Sequence, residues 1–157
     1  MRRAGCLLVA FLVLLSCSPP EPDRQAAKGY RELLAEANAR IETLTAWEAV
    51  ALLGDTSVAF VDIREQRELD ESGWIPGAVH APRGLLEFYI DTTSSVHKGV
   101  FGSGKRIVFY CAGGGRSALA TSLALDMGLP DVAHVGGGLR AWVEAGGPVE
   151  RGGSTAG

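Results

Sequence analysis

The chain has 157 residues, 21% of them charged and 46% hydrophobic, with a formal charge of −3. That length and mix describe one globular domain able to bury a core without disulfide staples. They exclude disordered, collagen-like, coiled-coil and multi-span membrane chains. A weakly acidic balance with no basic run argues against a nucleic-acid partner.

Met1-Arg2-Arg3 is a basic start, and Leu7 to Leu15 is unbroken apolar sequence. That run is too short to span a bilayer as a helix but fits the core of a secretory signal over residues 1–16. Leu14-Leu15-Ser16-Cys17 follows, which resembles the lipobox of bacterial lipoproteins. The resemblance implies that Cys17 is acylated and becomes the mature N-terminus, a lipid anchor with more than enough acyl chains for stable attachment. Loss of Arg2 and Arg3 leaves 13 basic against 18 acidic side chains, a net −5. The expected location is the cell envelope, facing the periplasm. Ser18 after the cysteine leans toward an outer membrane where one exists. Residues 17–28, rich in proline and polar side chains, read as a flexible tether.

The folded domain is expected over residues 29–150. Tyr30, Leu33, Leu34, Ala37 and Ile41 recur at helical spacing, so an amphipathic helix is expected over Tyr30–Arg40. Thr45 and Glu48 have capping-box spacing and start a helix ending near Gly54. Val58–Val61 reads as a buried parallel strand ending at Asp62. A helix from Glu65 to Glu71 stops at Gly73, a turn runs through Trp74–Ala78, and Val79-His80 is a short strand. Leu85–Ile90 reads as helix and Asp91–Lys105 as a surface loop. Ile107–Tyr110 is a second clear strand, Arg116–Met127 a strong helix closed by Gly128 and Pro130, Val132–Val135 a strand and Leu139–Ala145 a last helix. Residues 151–157 read as a frayed tail. Strands alternating with helices predict an α/β fold, a central parallel sheet with helices on both faces. Trp47 and Trp142 are expected in the core. Ala118, Leu119, Leu123, Ala124 and Met127 are expected to form the buried stripe of the long helix.

With Cys6 in the leader and Cys17 lipidated, Cys111 is the one thiol left in the exported domain. It follows a buried strand, where open α/β sheets bind ligands. Tyr110-Cys111-Ala112-Gly113-Gly114-Gly115-Arg116-Ser117 then joins that strand to a helix. Consecutive glycines permit a tight cradle of inward N–H groups, the helix start adds partial positive charge, and Arg116 adds a full one. These terms favour thiolate over thiol, so Cys111, at the mouth of the cradle, is the candidate nucleophile and Arg116 the candidate anion stabiliser. Ala112, Gly113, Gly114, Gly115 and Ser117 make up the substrate-binding loop.

The chain resembles a single-domain rhodanese, a sulfurtransferase, over about Ile41 to Glu150. The family's active loop runs Cys-x-x-Gly-x-Arg-Ser/Thr, matched by Cys111, Gly114, Arg116 and Ser117. Val61-Asp62-Ile63-Arg64-Glu65, Gly73-Trp74-Ile75-Pro76-Gly77-Ala78, and Gly136-Gly137-Gly138 with Trp142, Gly146 and Pro148 are similar to three further family segments in the same order. The resemblance implies a Cys111 persulfide that takes sulfur from an anionic donor such as thiosulfate and passes it to a thiophilic acceptor. It implies neither metal nor organic cofactor. Trp74 stands where the family usually has His, and is read as a packing change.

Asp62 and Arg64 are read as a structural pair near the loop, and Arg83 as a solvated or structural side chain that borders the cleft at most. His80, His97 and His134 have no metal-ligand spacing. Two alternatives stand beside sulfur transfer. One is a Cys-dependent phosphatase or arsenate reductase, although those families use Cys-x5-Arg and this loop is Cys-x4-Arg. The other is a sulfur-carrying or docking module without turnover.

Overall fold

The computed structural model describes residues 27–152. The expected leader, Cys17, nearly all of the tether and residues 153–157 lie outside that range. Five strands form one parallel sheet in the order β1-β5-β4-β2-β3, where β1 is Glu42–Leu44, β2 Val58–Asp62, β3 Val79–His80, β4 Arg106–Tyr110 and β5 Val132–Val135. Helices cover both faces, as expected. They are α1 (Tyr30–Asn38), α2 (Ala46–Ala51), α3 (Gln66–Ser72), α4 (Leu86–Ile90), α5 (Gly115–Asp126) and α6 (Gly138–Glu144). No helix of the described residues is long and apolar enough to cross a membrane.

The apolar runs work because strand side chains alternate between faces and both faces are covered. Phe60, Val108 and Tyr110 pack with Ala49 of α2 and Trp142 of α6, whereas Val61, Ile107 and Phe109 pack with Leu86 of α4 and Ala120 of α5. Trp142 meets Phe60 edge-on at 5.4 Å between ring centroids and donates Nε1–H to the Pro148 carbonyl at 2.9 Å. The capping box forms as expected, Glu48 N–H donating to Thr45 Oγ1 and Thr45 N–H to Glu48 Oε2. Gly73 stops α3 with φ +74°.

Four expectations need correction. Trp47 is 71% exposed, because the first turn of the short α2 points it outward instead of into the core. Tyr30 and Leu33 are also exposed, and α1 buries only Ala37 fully, with Leu34 half-buried, where it packs on α5. Strand β1 lies where only a connection was expected, since three residues at a sheet edge leave almost no periodic signal. Within α5 the buried positions are Ser117, Ala118, Ala120, Thr121 and Ala124, while Met127 is exposed. Close approach of a helix to a sheet selects small side chains over the large apolar ones that dominate a hydropathy pattern.

Chain topology places the site. From β2 the chain continues to the edge strand β3, and from β4 it continues the other way to β5. Between these departures the C-terminal ends of β2 and β4 lie level, Asp62 opposite Tyr110. A parallel sheet that switches direction opens a crevice at this point. Asp62 with Arg64 stands on one side of it and Cys111 on the other.

Candidate active site

Cys111 leaves the end of β4 and is almost fully buried, a free thiol on the floor of its loop and not at the mouth. Gly114 N–H donates to Sγ at 3.2 Å, and Sγ lies 3.7 Å from Ser117 Oγ. Gly114 makes the turn possible with φ +91°, and a Cβ there would stand 2.9 Å from the backbone nitrogen of Gly137. Behind the loop, the start of α6 holds it in place: Leu139 N–H donates to the Cys111 carbonyl at 2.8 Å and Arg140 N–H to the Ala112 carbonyl at 3.2 Å. Gly138 is required for this contact, because a Cβ there would lie 2.3 Å from the Cys111 oxygen. The sulfur sits at the N-terminus of α5, whose first amides have no intrahelical acceptor and whose dipole favours negative charge. Ala112 and Gly113 are exposed above it.

Arg116 is not aimed singly at the sulfur. Nη1 and Nη2 donate to the two carboxylate oxygens of Glu68 at 2.7 and 2.6 Å. This pairing raises the Arg116 pKa, with smaller contributions from Cys111, and it holds the Glu68 carboxyl down at about 2. The cation is therefore present beside the loop but largely balanced by a carboxylate from α3. Glu68 had no motif to announce it. It is brought in by the α3 turn that follows Arg64.

Asp62 and Arg64 are wholly buried and form the expected structural pair. Arg64 Nε and Nη2 donate to the Asp62 carboxylate, with Nη2 to Oδ2 at 2.5 Å. The remaining guanidinium hydrogens reach Ser72 Oγ at 2.7 Å and the Gly73 carbonyl at 2.7 Å, and the group lies 5.8 Å from the Tyr110 ring centroid. Arg64 thus ties the end of β2 to the end of α3 and to β4. Arg83 pairs with Glu87 one turn on, at 3.1 Å, and is not brought to Cys111. Trp74 is buried, its backbone bridged to Glu150 and its Nε1–H donating to the Glu150 carboxylate at 3.2 Å, which is a packing role.

Sequence reasoning missed His134. It points from β5 into the space behind the loop, where Nδ1 lies 3.2 Å from Ser117 Oγ and Nε2 2.9 Å from Thr43 Oγ1. A cavity of about 370 Å³ against α1 is lined by Leu34, Thr43, the three loop glycines and His134. On the α6 side a second cavity of about 410 Å³ is bordered by Ala112, Arg64, Arg140 and Arg151. The larger cavity near Leu52, Asp55 and Lys105 includes no residue of the loop. Among the described residues no group of three or more His, Cys, Asp or Glu could hold a metal.

The Rhodanese-like domain family model matches residues 45–145. Over 101 residues the chain is 29% identical to mouse thiosulfate sulfurtransferase/rhodanese-like domain-containing protein 3, covering 61% of this chain and 64% of that protein. It is 28% identical to human thiosulfate:glutathione sulfurtransferase over 108 residues, 65% of this chain and 93% of that one. A solved structure from Rhodopseudomonas palustris, described as a protein of unknown function and possible tyrosine phosphatase, is 49% identical with a TM-score of 0.77, covering 83% of this chain and all of that one. The thiosulfate sulfurtransferase of Pseudomonas aeruginosa is 27% identical with a TM-score of 0.66, covering 80% of this chain and 23% of that one. Fold, loop and family match agree: the chain belongs to the rhodanese-like domain family.

Proposed function

We propose that the protein is a sulfurtransferase carrying sulfane sulfur as a Cys111 persulfide. One observation carries the reading: Sγ lies at the N-terminus of α5 and accepts the Gly114 N–H. Relatives named as thiosulfate sulfurtransferases support it. In the first half-reaction the Cys111 thiolate attacks the outer sulfur of thiosulfate. A new S–S bond forms, the old one breaks, and sulfite leaves with its electron pair. In the second, a thiophilic acceptor attacks the outer sulfur of the persulfide and the Cys111 thiolate is restored. Loop amides and the α5 dipole stabilise negative charge on the terminal sulfur. Gly113 and Gly115 offer no side chains, so the loop selects little among small sulfur-containing anionic donors. Thiosulfate-dependent transfer to cyanide tests this directly, and activity retained in Cys111→Ser would refute it.

A second reading, phosphate-ester hydrolysis, is favoured by the description of the Rhodopseudomonas palustris neighbour. The Cys-x4-Arg loop and the engagement of both Arg116 terminal nitrogens by Glu68 count against a phosphate seat. Hydrolysis of an aryl phosphate that is lost in Cys111→Ser would establish it. Binding without turnover would give persulfide formation and no transfer.

We further propose that Cys17 anchors the mature chain by lipid in the cell envelope, facing the periplasm. The support is the lipobox-like Leu14-Leu15-Ser16-Cys17 after an apolar run.

A further inference from the structure

We propose that His134 is a positioning residue for Cys111, acting through Ser117, and that ionisation of the sulfur fixes the tautomer of its ring. The inference rests on Cys111 being the nucleophile of the proposed sulfur transfer. A continuous polar line runs from Cys111 Sγ to Ser117 Oγ at 3.7 Å, on to His134 Nδ1 at 3.2 Å, and from His134 Nε2 to Thr43 Oγ1 at 2.9 Å. Cys111, Ser117 and His134 are all buried, so each must satisfy its hydrogen bonds within the protein, along this line and at the Gly114 backbone. Thr43 comes from β1, upstream of the family-matched residues 45–145.

Donor and acceptor counting gives the coupling. When Cys111 is a thiol, S–H donates to Ser117 Oγ. The Ser117 hydroxyl proton is shared between the Gly114 carbonyl at 3.0 Å and His134 Nδ1. Either tautomer of the ring is then satisfied. When Cys111 is a thiolate, the sulfur accepts a hydrogen bond from the Ser117 hydroxyl, which keeps its proton. Oγ can then only accept from the ring, so His134 must carry its proton on Nδ1 and accept from Thr43 at Nε2. The proton lost by the thiol goes to water, and the ring stays neutral on both sides of the step. Burial lowers the His134 pKa, with no charged neighbour contributing, which keeps imidazolium out of the scheme.

Of the charged groups around this line, Arg116 acts on the sulfur directly, and the others lie apart from it. Arg116 and Glu68 pair with each other beside the loop, Asp62 and Arg64 pair at the end of β2, and Arg40 and Asp126 pair at the surface between α1 and α5. On α1, the residues facing the cavity are the uncharged Leu34 and Asn38. Arg116 keeps its charge in both states of the sulfur, so the neutral ring is the element on this line that can respond by changing its tautomer.

The test follows the ring nitrogens of His134 by ¹⁵N NMR in the full chain while iodoacetamide alkylation of Cys111 is measured against pH. The expected result is a ring that is all Nδ1–H above the alkylation midpoint and mixed below it. A ring that keeps Nε2–H while Cys111 is thiolate overturns the proposal without any variant. His134→Leu should move the alkylation midpoint up by about one pH unit. His134→Asn, whose amide can still donate to Ser117, should restore most of that shift, a rescue that mere packing would not produce. Equal midpoints in wild type and His134→Leu also overturn it. If thiosulfate fails to load Cys111 while the ring still tracks alkylation, the sulfur-transfer reading falls and this one stands.

Discussion

Glu68 and Arg116 lie 48 residues apart in the chain and meet beside the Cys111 loop, with both terminal guanidinium nitrogens on both carboxylate oxygens at 2.6 and 2.7 Å. The consequence is that the loop's arginine brings little net charge to the sulfur. Glu68→Gln should leave Arg116 unbalanced and move the pH profile of Cys111 alkylation down by about half a unit, the effect being limited by solvent screening. Arg116→Ala should move it up. The double variant should return near wild type. A profile unmoved in Arg116→Ala would remove the arginine from any electrostatic role and leave the nucleophile untouched.

The same pair makes an acid-sensitive contribution to stability. The folded-state carboxyl of Glu68 sits at about 2, below its ordinary value of 4.5, chiefly through its hydrogen bonds from Arg116. A depressed carboxylate stabilises the fold fully above its unfolded pKa, and that stabilisation fades as pH falls from about 4.5 toward 2. Both side chains are partly exposed, so the contribution is about 1 kcal/mol or less. Urea unfolding of wild type and Glu68→Gln should differ at neutral pH and converge toward pH 2. Equal separation across that range would contradict the pairing.

Asp62→Ala should cost far more. It leaves the Arg64 guanidinium buried with its carboxylate gone, a situation that costs about 3–5 kcal/mol. Asp62→Asn keeps the shape and some hydrogen bonds and should fall between. Denaturant midpoints check both. A loss below about 1 kcal/mol in Asp62→Ala would show that Arg64 is held mainly by Ser72 and the Gly73 carbonyl.

How much of this was legible in the sequence depended on whether a residue's partner is local. Strands β2 and β4 carry continuous apolar runs, and Thr45 caps α2 through Glu48 three positions on, so both could be read directly. The Cys111 loop was legible because cysteine, glycines and a helix start are adjacent in the chain. Glu68 and His134 were not. Their partners lie 48 and 17 residues away, and a lone glutamate on an exposed helix or a lone histidine in a strand has no pattern of its own. Arg64 lay between these cases, since Asp62 is two residues away but Ser72 and Gly73 are brought to it only by α3. Trp47 shows the opposite error, because size and hydrophobicity suggest burial yet the direction of a six-residue helix decides it.

The proposed anchor at Cys17 has its own test. In Cys17→Ser, labelling with radioactive fatty acid should disappear, and the protein should accumulate as precursor or be released from membranes. Labelling that persists would place the lipid elsewhere or remove it from the account.

The central claim is that Cys111 carries sulfur. The most direct measurement is intact-mass and peptide mass spectrometry of the protein after thiosulfate treatment, followed by cyanide. The account predicts a mass gain of one sulfur atom located on Cys111, absent in Cys111→Ser and removed by cyanide. An unmodified Cys111 in folded protein, with the added sulfur absent or on another residue, would contradict it.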